Sequence, residues 1–248
     1  MRIGHDIYLA GSGKLGFDWT HPADCNVYLI DTGEGLVLVD SGTGLSVSEI
    51  ERNIAAHGFR LERIAYVLLT HLHADHSGGA AEIRRRSGAR VAVPAGAADA
   101  LEGGDEHAID LPRARSAGFY PADYRWEACP ADILLTDGDS LDVGRYAFRA
   151  LHTPGHSRHD TCFYMERAGG GAPVLISGDT VMYGGRISML NTSDFSMGDL
   201  ARSIERLAGL EPELLLPGHG QPALSRAAEH VRAAHHIFDK LGIPANIG

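Results

Sequence analysis

The hydrophobic positions in the first third of the chain fall into short runs bounded by glycine and aspartate. Three runs have the length and the Val, Ile, Leu and Tyr content typical of buried strands: Asn26–Ile30, Gly35–Val39 and Ile64–Leu69. Residues 31–35, Asp-Thr-Gly-Glu-Gly, lie between the first two runs and predict a hairpin-type connection. The beginning of the chain is therefore expected to form a sheet.

A helical spacing lies between the second and third of these runs. In Ser46–His57 the apolar residues Val47, Ile50 and Ile54 recur every three or four positions, and the pattern stops at Gly58. The same reasoning predicts further strands at Arg90–Val93, Ile133–Leu135, Tyr146–Leu151, Thr161–Met165, Val174–Ser177 and Leu214–Leu216, and further helices at Ala80–Arg86, Met197–Leu207 and Ser225–Leu241. The order predicts an α/β protein with two similar halves, each a sheet with helices outside.

Residues 103–131 interrupt this order, with Pro112, Gly118, Pro121 and Pro130 spaced through an aromatic segment. Phe119, Tyr120, Tyr124 and Trp126 lie within it. The segment is expected to be an excursion from the core, and its aromatics would either form an apolar wall for a substrate or cover the core. The 248 residues are otherwise expected to form a single domain, 1–248.

Composition narrows the classes of partner. The formal net charge is −10, and no basic stripe accompanies it, so a nucleic-acid partner is not expected. The three cysteines lie far apart without a CxxC motif, which predicts neither disulfides nor a thiolate zinc site. The first residues lack the apolar core of a signal peptide, and no run reaches the ~18 residues of a membrane span, so a cytoplasmic protein without a membrane partner is expected.

Candidate chemistry is concentrated in a histidine-rich run directly after the third strand. Residues 70–79 read Thr-His-Leu-His-Ala-Asp-His-Ser-Gly-Gly, within a chain that holds 14 histidines. Alternate residues leaving a strand point the same way, so His71 and His73 are able to bind one cation together. Asp75 and His76 follow after the chain has begun to turn and are aimed at a second point. The run predicts metal binding.

Three further strands end in the same manner. His156, Asp179 and His219 each follow a predicted strand, and each comes directly after a glycine. Glycine allows the backbone to approach a crowded centre closely. Together with the first run, these endings predict additional metal ligands.

This pattern resembles the metallo-β-lactamase superfamily over Asn26–Gly220, where Asp40, the run His71–His76, His156, Asp179 and His219 match its motifs in order. The resemblance implies a four-layer αβ/βα sandwich, two mixed sheets with helices on the outer faces, and a dinuclear metal centre. It implies that Asp40 supports the site without binding metal. It also implies the ligands: His71, His73 and His156 for the first ion, Asp75, His76 and His219 for the second, and Asp179 as the bridge.

Imidazole and carboxylate donors without thiolate suit Zn²⁺, and also Fe or Mn. A bound divalent ion lowers the pKa of its water to ~7 and so supplies hydroxide at neutral pH. The expected activity is hydrolysis of a small ester, thioester or lactone, with two zinc ions as cofactors and Asp75 as a proton shuttle. A homo-oligomer is neither predicted nor excluded.

Other branches of the superfamily remain as alternatives. Its true β-lactamases lack an aspartate at the bridging position, where this chain has Asp179, and a phosphodiesterase of small molecules stays open. Only one helix is predicted after Gly220, in place of the longer helical extension of glyoxalase II, so a glutathione thioester is not the expected substrate. A persulfide dioxygenase would use one iron, held by His71, His156 and Asp179.

Two residues beyond the metal ligands are catalytic candidates. Tyr183 follows Asp179 by four residues, near where the resemblance to quorum-signal lactonases implies a tyrosine that polarises the substrate carbonyl. The alternative is that the Tyr183 side chain only packs beside the loop. His159 follows His156 by three residues and would reach substrate or a carboxylate, or else cap a turn.

Overall fold

The apolar runs form eleven strands in a computed structural model that describes residues 1–247. The strands are β1 Ile7–Gly11, β2 Val27–Asp31, β3 Leu36–Val39, β4 Ile64–Leu68, β5 Arg90–Pro94, β6 Ile133–Leu135, β7 Ser140–Val143, β8 Tyr146–His152, β9 Thr161–Arg167, β10 Val174–Gly178 and β11 Leu214–Pro217. The helices are α1 Val47–Ala55, α2 Ala74–Ser77, α3 Ala80–Ser87, α4 Ala98–Gly103, α5 Leu111–Ser116, α6 Met197–Ala208 and α7 Ala227–Asp239. The backbone divides into two units, Met1–Leu135 and Thr136–Gly248.

The first unit is built on a six-stranded sheet in the order β1-β2-β3-β4-β5-β6. The first two pairings are antiparallel, and the pairings from β3 to β6 are parallel. Parallel neighbours need a crossover between them, and the helical spacing after β3 and β4 supplies it. The sheet is therefore mixed.

One face of this sheet packs against the helices of the first unit. Val47, Ile50 and Ile54 of α1 are buried in the same apolar cluster as strand residues such as Leu38 and Val67. The three-to-four residue spacing on α1 places these side chains on one stripe of the helix, which the sheet covers. α3 packs into the same cluster and is followed by Gly88, whose φ of 76° is the left-handed conformation that glycine adopts at helix ends.

The second unit is built on a five-stranded sheet in the order β11-β10-β9-β8-β7. Its pairings are antiparallel except for β10 with β11, which are parallel. α6 and α7 bury Leu200, Ile204 and Val231 with Leu175 and Leu215 of the sheet. Both units thus confirm the prediction of mixed sheets covered by helices.

Two strands escaped sequence prediction for physical reasons. β1 is a short run of five residues near the start of the chain. β7, Ser-Leu-Asp-Val, is an edge strand whose polar residues are exposed, so it lacks the apolar run that marks a buried strand.

The expectation that residues 103–131 lie outside the core is wrong in part. Tyr124, Trp126 and Cys129 are buried in the core cluster of the first unit, and Phe119 is 68% exposed. Prolines and glycines made the segment look like a surface loop, but the apolar side chains between them pack inward. Of the two expectations for its aromatics, core covering is what Tyr124 and Trp126 do.

The described residues contain no helix with the length and apolar character needed to cross a bilayer. Cys25, Cys129 and Cys162 are buried and free.

Candidate metal centre

The carboxylate of Asp40 holds the start of the histidine-rich run in the first unit. Asp40 follows β3 with a φ of 57°, a left-handed conformation that Asp tolerates better than most residues. Its Oδ1 accepts the Thr70 amide at 2.9 Å, and its Oδ2 lies 2.8 Å from His76 Nδ1. Asp40 and His76 are buried, so this carboxylate–imidazole contact fixes the ring and favours the tautomer with a lone pair on Nε2.

His71 and His73 leave β4 with their rings together, as the alternation of a strand predicts. His71 Nε2 lies 3.2 Å from His73 Nδ1, and both side chains are buried. Thr70 Oγ1 lies 3.1 Å from the other nitrogen of His71, Nδ1, and so orients that ring. Two imidazole nitrogens at this separation present a pair of donors to one small cation.

A second donor pair follows on the short helix α2. Asp75 Oδ2 lies 3.5 Å from His76 Nε2, and the His76 ring is 4.0 Å from the ring of His71 between centroids. The first unit therefore brings all four residues of the run together, in two adjacent pairs. The buried Cys25 thiol adjoins Asp40 and His76, but burial raises the pKa of Cys25 to about 12, so it is protonated at neutral pH.

The two glycines after His76 are needed for close packing. A Cβ on Gly78 would lie 2.3 Å from the carbonyl oxygen of Thr43, and one on Gly79 would lie 2.3 Å from that of Ser41. Both have helical φ values, −62° and −85°, so the backbone needs no left-handed turn here. Glycine here allows α2 to lie directly against the loop after β3.

The second unit brings His156, Asp179 and His219 together at the ends of β8, β10 and β11. Asp179 Oδ2 lies 3.5 Å from His156 Nε2 and 3.5 Å from His219 Nε2. Because β10 and β11 are parallel neighbours, their carboxyl ends place Asp179 and His219 side by side. His156 Nδ1 lies 3.0 Å from the Ser188 carbonyl oxygen, which accepts its proton and leaves the lone pair on Nε2.

The loop that carries His156 is held by a buried carboxylate. The Ser157 amide and hydroxyl each donate to Asp160 at 2.6 Å. Burial raises the pKa of Asp160 to about 6, while the hydrogen bonds from Ser157 act in the opposite direction. The loop geometry thus depends on a short, closed network.

Gly155 is where this loop meets α6. Its φ is 151°, and a Cβ at this position would lie 2.4 Å from Leu200 Cα. We expect Gly155→Ala to lower the free energy of unfolding by about 2 kcal/mol or more, because backbone must move to accept the methyl group. Denaturant unfolding measures this. Gly169→Ala is the matched control, with a φ of 81° and open space around its Cβ; equal losses in the two variants would contradict the close approach.

Tyr120 and Asp24 are two residues near the site that sequence analysis missed. The Tyr120 hydroxyl donates to Asp75 Oδ1 at 3.2 Å. Burial, followed by the charge of Asp75, raises the pKa of Tyr120 well above its usual value, which keeps the hydroxyl a donor. Buried Asp24 accepts the Thr43 amide at 2.7 Å and holds the loop after β3. Neither lies in a strand-end motif, so no local signal distinguished them.

The other two catalytic candidates lie in the second unit. Tyr183 begins a short turn, Tyr183–Gly185, and is 42% exposed, with its ring 4.3 Å from that of His230 on α7. His159 is half-buried, and burial lowers its pKa. Each stands on the loop of a metal-ligand candidate, His159 beyond His156 and Tyr183 beyond Asp179.

The donor chemistry fits divalent cations. The seven candidates supply imidazole nitrogens and carboxylate oxygens and are grouped within each unit. The tautomers of His76 and His156 are fixed by Asp40 and the Ser188 carbonyl. Zinc, iron and manganese all accept such donors. The fold and these clusters define an α/β protein with metal-binding character.

The chain belongs to the metallo-β-lactamase superfamily, whose family model matches residues 22–219. It is 32% identical to the bovine acyl-coenzyme A thioesterase MBLAC2 over 88% of this chain and 80% of that protein. It is 28% identical to an atrochrysone carboxyl ACP thioesterase of Aspergillus fumigatus, over 79% of this chain and about half (50%) of that protein. Among solved structures, the subclass B3 metallo-β-lactamase BJP-1 of Bradyrhizobium japonicum matches with a TM-score of 0.74 and 25% identity, covering 97% of this chain and 91% of its own.

Proposed function

We propose that this chain is a metal-dependent thioester hydrolase with a dinuclear centre. The observation that carries the metal centre is the placement of one carboxylate oxygen, Asp179 Oδ2, 3.5 Å from each of two imidazole nitrogens. That arrangement suits a bridging ligand. The choice of thioester rests on the similarity to the bovine acyl-coenzyme A thioesterase, which extends over most of both chains.

The proposed ligand sets are those that the resemblance to the superfamily implies. His71, His73 and His156 hold the first ion, Asp75, His76 and His219 hold the second, and Asp179 bridges them. The pairings in the first unit support this division, because His71 is paired with His73 and Asp75 with His76. Zinc is the proposed metal, since nitrogen and carboxylate donors suit it.

Two bound divalent ions would lower the pKa of a water molecule and polarise the substrate carbonyl. The proton transfer and the orientation of the ligands are assigned to side chains. In thioester hydrolysis the water oxygen forms a bond to the acyl carbon, the carbon–sulfur bond breaks, and one proton passes from the water to the leaving sulfur. The Asp75 carboxylate is the proposed carrier of that proton, and Asp40 keeps His76 in the required tautomer.

Tyr183 and His159 are proposed to act on the substrate, Tyr183 by donating a hydrogen bond to the acyl carbonyl. The exposed fraction of Tyr183, 42%, leaves its ring accessible to a ligand. A lower kcat at unchanged metal content in Tyr183→Phe and in His159→Ala would support these roles. Unchanged values of kcat would show that both side chains only pack against their neighbours.

A substrate panel tests the proposed activity. Acyl-coenzyme A thioesters, a lactone, a β-lactam and a phosphodiester are compared as kcat/KM on protein of measured metal content. We expect the thioesters to be hydrolysed fastest. A β-lactam or lactone that exceeds every thioester would overturn the substrate class, and oxygen consumption on a persulfide with one iron per chain would establish the dioxygenase alternative.

The wider setting follows from the same proposal. The partner is a small molecule, and the net charge of −10 argues against nucleic acid. Three free, buried cysteines support a reducing compartment such as the cytoplasm. A single domain over residues 1–248 is part of the proposal.

A further inference from the structure

We propose that Tyr120 is a positioning residue that fixes the carboxylate of Asp75 for the second metal ion, an inference that rests on the proposed dinuclear centre. The two oxygens of Asp75 have different neighbours. Oδ1 accepts the Tyr120 hydroxyl at 3.2 Å, and Oδ2 lies 3.5 Å from His76 Nε2. The hydrogen bond on Oδ1 therefore determines that Oδ2 is the oxygen turned toward the donor nitrogen of His76.

The Tyr120 hydroxyl is presented from a rigid support. Its ring stacks on that of Tyr124, with centroids 5.1 Å apart and an interplanar angle of 18°. Tyr124 is buried, and its own hydroxyl donates to the Thr43 carbonyl oxygen at 2.7 Å. The guanidinium of Arg115 donates to the Tyr124 carbonyl oxygen and pairs with Glu106, each at 2.6 Å. Residues 103–131 are thus held in place around Tyr120 and Tyr124.

This support gives residues 103–131 a role at the metal centre. Hydrogen-bond partners of a ligating carboxylate set its orientation, and their loss typically lowers metal affinity 10–100-fold. Tyr120 contacts Asp75 of the second donor pair, and His71 of the first pair is oriented by Thr70. Removing the hydroxyl should therefore weaken one of two metal ions selectively.

The test is zinc binding to Tyr120→Phe, measured by competition with a chromophoric chelator. We expect the affinity for the second zinc ion to fall about 10-fold or more while the first is unchanged. In the fully loaded cobalt-substituted protein, the visible spectrum should change in the bands that appear with the second equivalent. A thermal midpoint close to that of the wild type shows that the ring stack keeps the segment folded.

Tyr66→Phe is the matched control, because it also removes one phenol hydroxyl. The centroid of the Tyr66 ring lies 5.9 Å from Cζ of Arg90 on the neighbouring strand. Both zinc affinities should stay at wild-type values in this variant. If the wild type binds two zinc ions and Tyr120→Phe binds both with the same affinities, the role of Tyr120 is overturned and the dinuclear centre is not. Uptake of only one zinc ion by the wild type would overturn the dinuclear centre and, with it, this inference.

Discussion

Asp179→Ala and His71→Ala are each expected to abolish hydrolysis and to lower the metal content of the protein. Asp179 contacts two imidazoles through a single oxygen, and His71 is paired with His73, so each change removes a shared element of the donor set. We expect the rate to fall about 10³-fold or more, because without the metal the reacting water returns from a pKa of ~7 toward that of bulk water. Steady-state kinetics and elemental analysis on the same samples measure both effects.

An exposed histidine on α7 provides the control for this prediction. His236→Ala should keep the wild-type rate and metal content, since that side chain lies on the surface of the helix. Full turnover in Asp179→Ala at wild-type metal load would rule out a bridging role for this aspartate.

Asp40→Ala should cost more stability than most single substitutions in this chain. The buried Asp40 carboxylate accepts hydrogen bonds from the Thr70 amide and hydroxyl and contacts His76 Nδ1. Removing it leaves those groups without their acceptor, and we expect the free energy of unfolding of the metal-free protein to fall by about 3 kcal/mol. Denaturant unfolding measures this loss.

Two further variants separate the backbone strain at residue 40 from the loss of the carboxylate as causes of the lower stability. Asp18 has a φ of 56°, close to the 57° of Asp40, but is exposed, so Asp18→Ala measures the cost of alanine in the left-handed conformation alone. Asp40→Asn suits that φ and can still accept the Thr70 amide. The side-chain amide of the introduced asparagine is a poor partner for the His76 Nδ1 proton, so we expect the metal affinity of Asp40→Asn to fall about 10–100-fold. A loss in Asp40→Ala no larger than in Asp18→Ala would contradict the structural role of the carboxylate.

The fold was readable where the sequence carries a strong period. The buried strands around Val39 and Leu68 are continuous apolar runs, and the helix at Val47–Ala55 shows a clear three-to-four residue spacing. The edge strand Ser140–Val143 was missed because solvent covers its polar side chains and removes the selection for an apolar pattern. Periodicity reports burial, so elements at the edge carry the least signal.

The candidate ligands were readable because they follow apolar strands directly. Residues at strand ends need no long-range information, and His156, Asp179 and His219 meet through the strand order of one sheet. The sequence marks Tyr120 only as one of the aromatics of residues 103–131. Its contact with Asp75 depends on tertiary packing across 45 residues of chain, which no local pattern encodes.

The most direct test of the proposed function is the rate of acyl-coenzyme A thioester hydrolysis while zinc is added back to the fully stripped protein. We expect no hydrolysis without metal and a rate that rises until two equivalents per chain are bound. Hydrolysis by the stripped protein, or none of any thioester at two bound equivalents, would contradict a metal-dependent thioester hydrolase.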